Sequence, residues 1–446
     1  MNFYGREQEL AQLAEIQERS HNIAQMTLMV GRRRIGKTHL ILKSLEGQKF
    51  LYFFVAKKNE KLLCEEFVNE AKNTLNIPIF GEITRFRDLF ALLVEKSKQE
   101  HLTLVIDEFQ EFNNINPAIY SEMQDVWDRN KPQSKMNLIL CGSIYSLMKK
   151  IFESAKEPLF GRANEKIHLK PFDVDTLKQI MTIYAPGYTQ KDLLAFYMLT
   201  GGVAKYVELL TDTSALTYNQ MLDRIFCNNS MFIDEGKNLL IEKFGKEYQN
   251  YFSILSLIAS SKTSRTDMES ILNKNVGGYL DKLENEYNII KKVKPLFAKP
   301  GSRIIKYYID DNLLNFWFRF IYKYRSAVEI ENYAYLKEIV TRDFDIFSGG
   351  YLEKFITQKL QLSKKYNLIG NYWEKGNQNE IDIIALNEMD KTMLIAEVKL
   401  NESKLKINQL KEKAIAIVSK FSEYSIEYKG FSLNDIWSGE VNSTKA

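Results

Sequence analysis

The sequence predicts an α/β fold: a parallel sheet flanked by helices, then a helical stretch, then a second mixed α/β region. Three observations point that way. In the first third, the apolar runs 26–30, 50–55, 102–106 and 138–141 alternate with helical patterns, and each is followed by a polar turn. That is the rhythm of strands buried between two layers of helices. The run Gly31-Arg32-Arg33-Arg34-Ile35-Gly36-Lys37-Thr38 stands directly between the first of these strands and the helical pattern at 39–44. Strand-like runs then return near the other end, at 381–386 and 393–398.

With 446 residues the chain exceeds what one hydrophobic core usually serves, so several domains are expected. The patterns divide it into a sheet-containing core at 1–170, a helical lid at 171–245, a winged helix at 246–312 and a last α/β domain at 313–446. An apolar fraction of 45% and a charged fraction of 26% are those of a soluble globular protein rather than a disordered one. No run approaches the roughly 18 apolar residues that span a bilayer, and the start MNFYGREQEL lacks the regions of a signal peptide. A cytoplasmic protein with no membrane partner is therefore expected. Cys64, Cys141 and Cys227 are too far apart in sequence to suggest a disulfide framework or a zinc site. A net charge of +4 permits a nucleic-acid partner without demanding one.

The elements follow in order. Between 171 and 244 apolar residues recur at helical spacing, as in Leu193, Leu194, Tyr197 and Met198. Helical patterns at 254–259, 266–272 and 276–287 precede two β-like runs at 289–294 and 303–309. Three helices and a hairpin are the parts of a winged helix. Beyond the aromatic segment 314–324 the pattern is mixed α/β, and there are no repeats or low-complexity tracts.

The run from Gly31 to Thr38 fits G-x-x-x-x-G-K-[ST], the P-loop or Walker A pattern, in the strand–loop–helix setting that the pattern requires. Backbone N–H groups of such a loop curl around phosphates at a positive helix N-terminus. Lys37 would reach the β and γ phosphates and Thr38 would hold Mg²⁺; Gly31, Arg32, Arg33, Arg34, Ile35, Gly36 and the following His39 would complete the ATP contacts. The plainer alternative is a Gly-rich turn before a surface helix. The strand 102–106 ends in Asp107 and Glu108, the carboxylates that phosphoryl transfer needs: Asp107 toward the metal, Glu108 to orient and deprotonate the attacking water. Ser143, at the end of the strand 137–141, would sit between the γ-phosphate and that water, or else belongs to a plain Gly-Ser turn. Arg162, beyond the turn in Leu159-Phe160-Gly161-Arg162, would complete a neighbouring subunit's site, or else makes a surface salt bridge.

Taken with Phe3-Tyr4-Gly5-Arg6-Glu7-x-Glu9-Leu10 and Gly201-Gly202-Val203-Ala204-Lys205-Tyr206, these motifs in this order resemble the archaeal-type ATPase family, a branch of AAA+ related to the STAND ATPases. The resemblance implies an AAA+ P-loop sheet with a helical lid. It also implies that Arg6 lies near the adenine, that Ser143 is the sensor after the fourth core strand, and that Arg162 is a finger acting within a homo-oligomer. Ala204 stands where the family often has proline, and Lys205 is a further sensor candidate.

A second constellation lies toward the other end. Asp382 opens one strand-like run and Glu397 and Lys399 close the next, on one face by the period of two, with Glu353 on the preceding helix. Carboxylates that hold Mg²⁺ beside a lysine suit phosphodiester hydrolysis. The pattern resembles the core of the PD-(D/E)xK nucleases, with Ile381 in place of the proline, and implies Glu353, Asp382 and Glu397 as metal ligands. The alternative is a solvated sheet face with alternating charges. Lys291, Lys292, Lys294, Lys299, Arg303 and Lys306 string along the predicted hairpin, which suits double-stranded DNA or merely a soluble edge. The expectation is an ATP-hydrolysing protein whose nucleotide state governs a DNA-binding, nuclease-like domain. Its rival is a STAND-like switch without nuclease activity.

Overall fold

Strands form where the chain offers apolar runs, and a computed structural model describes residues 3–76, 79–244 and 247–437. Residues 1, 2, 245, 246 and 438–446, on which several of the expected domain limits fall, lie outside the described residues. The first sheet has five strands, β1 (Gln25–Val30), β2 (Phe50–Phe54), β3 (Leu102–Asp107), β4 (Met136–Gly142) and β5 (Glu165–His168), in the order β2-β3-β4-β1-β5. Every neighbouring pair is parallel. The central strands β1, β3 and β4 are buried at every residue, which is why they read as unbroken apolar runs, whereas the edge strand β2 alternates. The strand β5 carries only one buried residue, Ile167, in the sequence EKIH; so short and polar a strand gives no pattern to read.

Helices cover this sheet because their apolar residues fall on one stripe. Phe67, Phe86, Phe90 and Phe112 form an aromatic core over Phe53 of β2, with Phe53 and Phe67 stacked at 4.3 Å. The helix Glu60–Leu75 starts where the Asn59 side chain accepts from the Leu62 amide and stops at Asn76 in the left-handed region. Because β1 lies between β4 and β5, the carboxyl ends of β1, β4 and β3 stand side by side. Chain loops leaving those three ends share one rim of the sheet.

The chain divides into two compact units, one ending at Pro171 and the other beginning at Phe172. In the second, the helix Gln190–Thr200 begins at a capping box of Thr189 and Asp192 and ends at Gly201, with every residue from Asp192 to Thr200 buried. The helices Tyr248–Ala259, Arg265–Leu272 and Gly277–Asp281 lead into an antiparallel pair, β6 (Ile290–Val293) and β7 (Lys306–Ile309). A 30-residue helix, Tyr333–Leu362, precedes a four-stranded sheet of β8 (Leu368–Tyr372), β9 (Ile381–Asn387), β10 (Thr392–Val398) and β11 (Ser425–Phe431), in the order β11-β10-β9-β8. The pairs β8/β9 and β9/β10 are antiparallel; β10/β11 is parallel, with the helix Ile407–Val418 as its crossover.

The segments expected as lid, winged helix and last domain pack together as this one unit. Asn312 donates to the Tyr197 carbonyl at 3.1 Å, Tyr197 meets Phe355 edge-on at 5.4 Å, and the Gln358 side chain accepts from the Val174 amide. The turn after β6 docks on β8: the Leu296 amide donates to the Asn371 carbonyl at 2.8 Å, and Phe297 lies 5.0 Å from Phe421. Asn371 sits at a register shift in β8, so its backbone is turned out of the ladder and can take this bond. Among the described residues no helix is long and apolar enough to cross a membrane.

Candidate active site

The loop 31–36 leaves β1 and enters the helix Lys37–Ser44 through Gly36, whose φ of 93° is left-handed. Gly31 is needed for a different reason: a Cβ there would lie 2.8 Å from the Leu169 carbonyl oxygen just beyond β5. Arg34 takes a φ of 67°, uncommon for a residue with a side chain and a sign that the loop's shape is imposed by its surroundings. Lys37 is buried, and its ammonium donates to the carbonyls of Gly31 at 2.8 Å and Arg32 at 3.1 Å. Arg33, Ile35 and His39 belong to the same loop and first helical turn, with His39 facing the ring of Phe3 at 6.0 Å.

The strand order brings Asp107 and Thr38 together. Thr38 Oγ1 donates to Asp107 Oδ2 at 2.9 Å, and Tyr52 of β2 donates its hydroxyl to the same oxygen at 2.5 Å. The other oxygen, Oδ1, accepts from the Glu108 amide at 2.8 Å. Burial, and after it the neighbouring carboxylate, push the Tyr52 phenol well up, so it remains a donor at neutral pH. Glu108 takes a left-handed φ of 53°, which turns the chain sharply off β3. Its Oε2 accepts from Ser143 Oγ at 2.8 Å and from the side-chain amide of Gln110. Two carboxylates with distinct partners thus stand on the rim where the loop after β1 lies: one among hydroxyl donors, the other between a serine and an amide. Cys141 lies beneath them, its thiol pushed far up by burial and by the charge of Asp107.

The outlying candidates are placed as follows. Arg6 is buried and donates to the Lys170 carbonyl at 2.8 Å, with Glu9 at 3.3 Å. Of the two readings left open for Arg162, the salt bridge is formed: its guanidinium holds Asp128 of the same chain, with contacts of 2.8 to 3.1 Å. Lys205 pairs with Glu208 at 2.8 Å. Tyr52 and Gln110 were not among the expected site residues. Tyr52 was hidden inside an apolar strand, although a tyrosine one strand away from a catalytic carboxylate has the reach to be a signal.

In the second unit Asp382 on β9 and Glu397 on β10 come together with Lys399 just beyond β10. Asp382 Oδ2 accepts from the Val398 amide at 2.8 Å and from Lys399 Nζ at 3.1 Å; Lys399 is also 3.6 Å from Glu397 Oε1. Glu397 Oε2 accepts from the Lys406 amide at 2.8 Å. Burial and then the Asp382 charge push Glu353, on the long helix, well above the usual carboxylate range, against the opposing pull of Lys399. Among the described residues no group of three or more His, Cys, Asp or Glu side chains is arranged to hold a metal ion. Asp382 and Glu397, expected with Glu353 as metal ligands, have the Lys399 ammonium as their partner, at 3.1 Å and 3.6 Å. The lysine strip is partly spent on ion pairs, Lys291 with Asp310 at 2.6 Å and Lys306 with Glu380 at 2.7 Å.

Comparison with known proteins bears on both units. Residues 3–210 match the family described as an ATPase domain predominantly from Archaea, and residues 317–415 match one described as archaeal and bacterial proteins of unknown function. The uncharacterized protein MJECL04 of Methanocaldococcus jannaschii is 28% identical over 411 residues, 90% of this chain and 88% of its own length. Among solved structures, the Walker-type ATPase of Pyrococcus abyssi superposes with a TM-score of 0.54 at 17% identity, covering 71% of this chain and 96% of that one. The ORC2 protein of Aeropyrum pernix, solved as ADPNP–ADP complexes, gives 0.50 at 15% identity, covering 72% and 93%. These superpositions concern the fold. The match over residues 3–210, a little under half of the chain, is to an ATPase domain and supports an ATP-hydrolysing enzyme.

Proposed function

We propose that ATP is bound over the loop 31–36 together with Mg²⁺, and that its hydrolysis governs the action of a nuclease-like C-terminal domain. The observation that carries the first half is the pair of contacts Thr38–Asp107 and Ser143–Glu108, which separate a metal-side carboxylate from a water-side one. Mg²⁺ is a hard cation that prefers oxygen ligands, and Thr38 and Asp107 offer only oxygens at this corner. When bound, it would offset phosphate charge. Lys37 would exchange the carbonyls of Gly31 and Arg32 for phosphate oxygens. Glu108, held by Ser143 and Gln110, would accept the proton of the attacking water. Arg6 and His39 would flank the nucleoside. Arg162 acts on a neighbouring copy only if it releases Asp128, so that role predicts turnover per chain that rises with protein concentration.

The second half rests on topology. A helix, three antiparallel strands, a crossover helix and a fourth strand parallel to the third are the parts that a PD-(D/E)xK reading requires, with Asp382 on the second strand, Glu397 on the third and Lys399 just beyond it. The three helices and the β6–β7 hairpin before it serve as the winged helix, and double-stranded DNA is the proposed partner. ATP hydrolysis and Mg²⁺-dependent plasmid cleavage, measured on one sample beside Lys37→Ala and Asp382→Ala, test both halves. Loss of turnover in the first and of cutting in the second is the expected outcome.

A second reading, a nucleotide-controlled switch that cuts nothing, is favoured by Lys399, which lies between the two carboxylates that a metal would need. Intact plasmid at every Mg²⁺ concentration, with nucleotide-dependent changes in oligomer size, would select it.

A further inference from the structure

We propose that Tyr52 is a positioning residue for the nucleotide site: its hydroxyl fixes the plane of the Asp107 carboxylate, so that Oδ2 stays directed at Thr38 where the metal is to be held. The inference rests on the nucleotide site proposed above and extends it to the edge strand β2, which carries none of the expected site residues.

Asp107 is 5% exposed, so water offers it little. Hydrogen bonds reach it from three separate places, Thr38 at the start of the helix after the loop, the Glu108 amide next in the chain, and Tyr52, with the neutral Cys141 thiol of β4 beside it as a weak fourth donor. The Glu108 amide holds Oδ1 but moves with the carboxylate, being the next residue. The Thr38 hydroxyl must also face the metal, so it cannot serve the carboxylate alone. A carboxylate turns easily about its last torsion, which has no sharp staggered wells. Tyr52 is the hydroxyl donor anchored on a separate strand. The parallel register Tyr52↔Val105 and Phe54↔Asp107 sets it two residues short of Asp107 along the sheet, on the same face by the period of two. A tyrosine leaning along the strand spans that offset; a serine or threonine at the same position would be too short. The flanking Leu51 and Phe53 are wholly buried in the core and lock β2 in place, so the phenol is carried on a rigid element.

Tyr52→Phe removes the hydroxyl and leaves the ring. The test is a Mg²⁺ titration of the full chain with a fluorescent ATP analogue, with Mn²⁺ as a second metal, beside the analogue's affinity in excess chelator and the melting temperature. The expected result is a rise of about tenfold in the metal concentration for half-maximal effect, the scale of one lost hydrogen bond to a charged group. Affinity without metal should be unchanged, and the melting temperature should fall by no more than the loss of one hydrogen bond implies. An unchanged metal requirement, with or without a lower melting temperature, would reduce Tyr52 to a packing residue and overturn the proposal. So would a lowered requirement, which would show the phenol competing with the metal. If the unsubstituted protein shows no metal-dependent binding of the analogue, the nucleotide site itself is wrong and the proposal goes with it.

Discussion

Ser143 Oγ donates to Glu108 Oε2 across 2.8 Å, although the two residues are 35 apart in sequence and sit beyond different strands. The serine orients the carboxylate without contributing charge. Glu108→Gln should therefore bind ATP normally and lose on the order of 10² to 10³ in turnover, the usual scale for a general base. Ser143→Ala should lose about tenfold, since Gln110 still holds the carboxylate. Steady-state hydrolysis and calorimetric ATP binding check both.

Lys37→Ala should abolish ATP binding while leaving the fold intact. Among the described residues the ammonium donates to the carbonyls of Gly31 and Arg32, in its own loop, and bridges no separate elements of the core. Calorimetry should show no heat of binding, and the melting temperature should no longer rise with added nucleotide.

Gly31→Ala should destabilise the protein by about 1–3 kcal/mol, because the new methyl meets the Leu169 carbonyl oxygen at 2.8 Å and the backbone on one side must move. Chemical denaturation checks this, and ATP affinity should fall with it.

The sheet end opposite the nucleotide rim predicts a pH effect. His101 stacks on His21 at 3.9 Å and bonds Ser20 at 2.8 Å. Burial, and then the charge of His21, depress its pKa from 6.5 to about 4. The folded value lies below the unfolded one, so the folded state prefers the neutral ring. The contribution is fully present above about pH 6.5 and is lost as the pH falls from there toward 4. The melting temperature should drop between pH 7 and pH 5, and His101→Phe should flatten that slope.

Asp382→Ala should cost about 1–3 kcal/mol whether or not the site cuts DNA, because it strips the Val398 amide and the Lys399 ammonium of an acceptor together. Urea denaturation measures it apart from any nuclease assay.

The nucleotide site was legible because its chemistry is local. Gly31, Gly36, Lys37 and Thr38 fall in one octet, and Asp107-Glu108 ends a strand whose six residues are all buried. What could not be read was lateral. Tyr52 belongs to the site only because β2 pairs with β3 in one register, and Asp128 reaches Arg162 only through the packing of the helix Ala118–Asn130. The strand β5 was missed because EKIH carries one buried residue where a pattern needs several. In the second unit the period of two put Glu397 and Lys399 on one face, and it is the pairing of β9 with β10 that brings Asp382 to them. Spacing alone carries no sign of which partner a carboxylate prefers, and the lysine is the partner formed.

The bond from the Leu296 amide to the Asn371 carbonyl has a practical consequence for anyone dividing the chain. Asn371 also ties its side-chain amide to the Asp382 carbonyl at 2.6 Å, so the hairpin, the irregular edge of β8 and the acidic residue of β9 form one connected patch. A fragment cut at residue 313 would strip the edge strand β8 of Leu296 and Phe421 of Phe297, leaving an uncovered sheet edge beside apolar side chains, and such an edge recruits other chains. A fragment that begins at Phe172 keeps this cover and the helices packed on Tyr333–Leu362, and should remain monodisperse; the shorter one should be less soluble on expression.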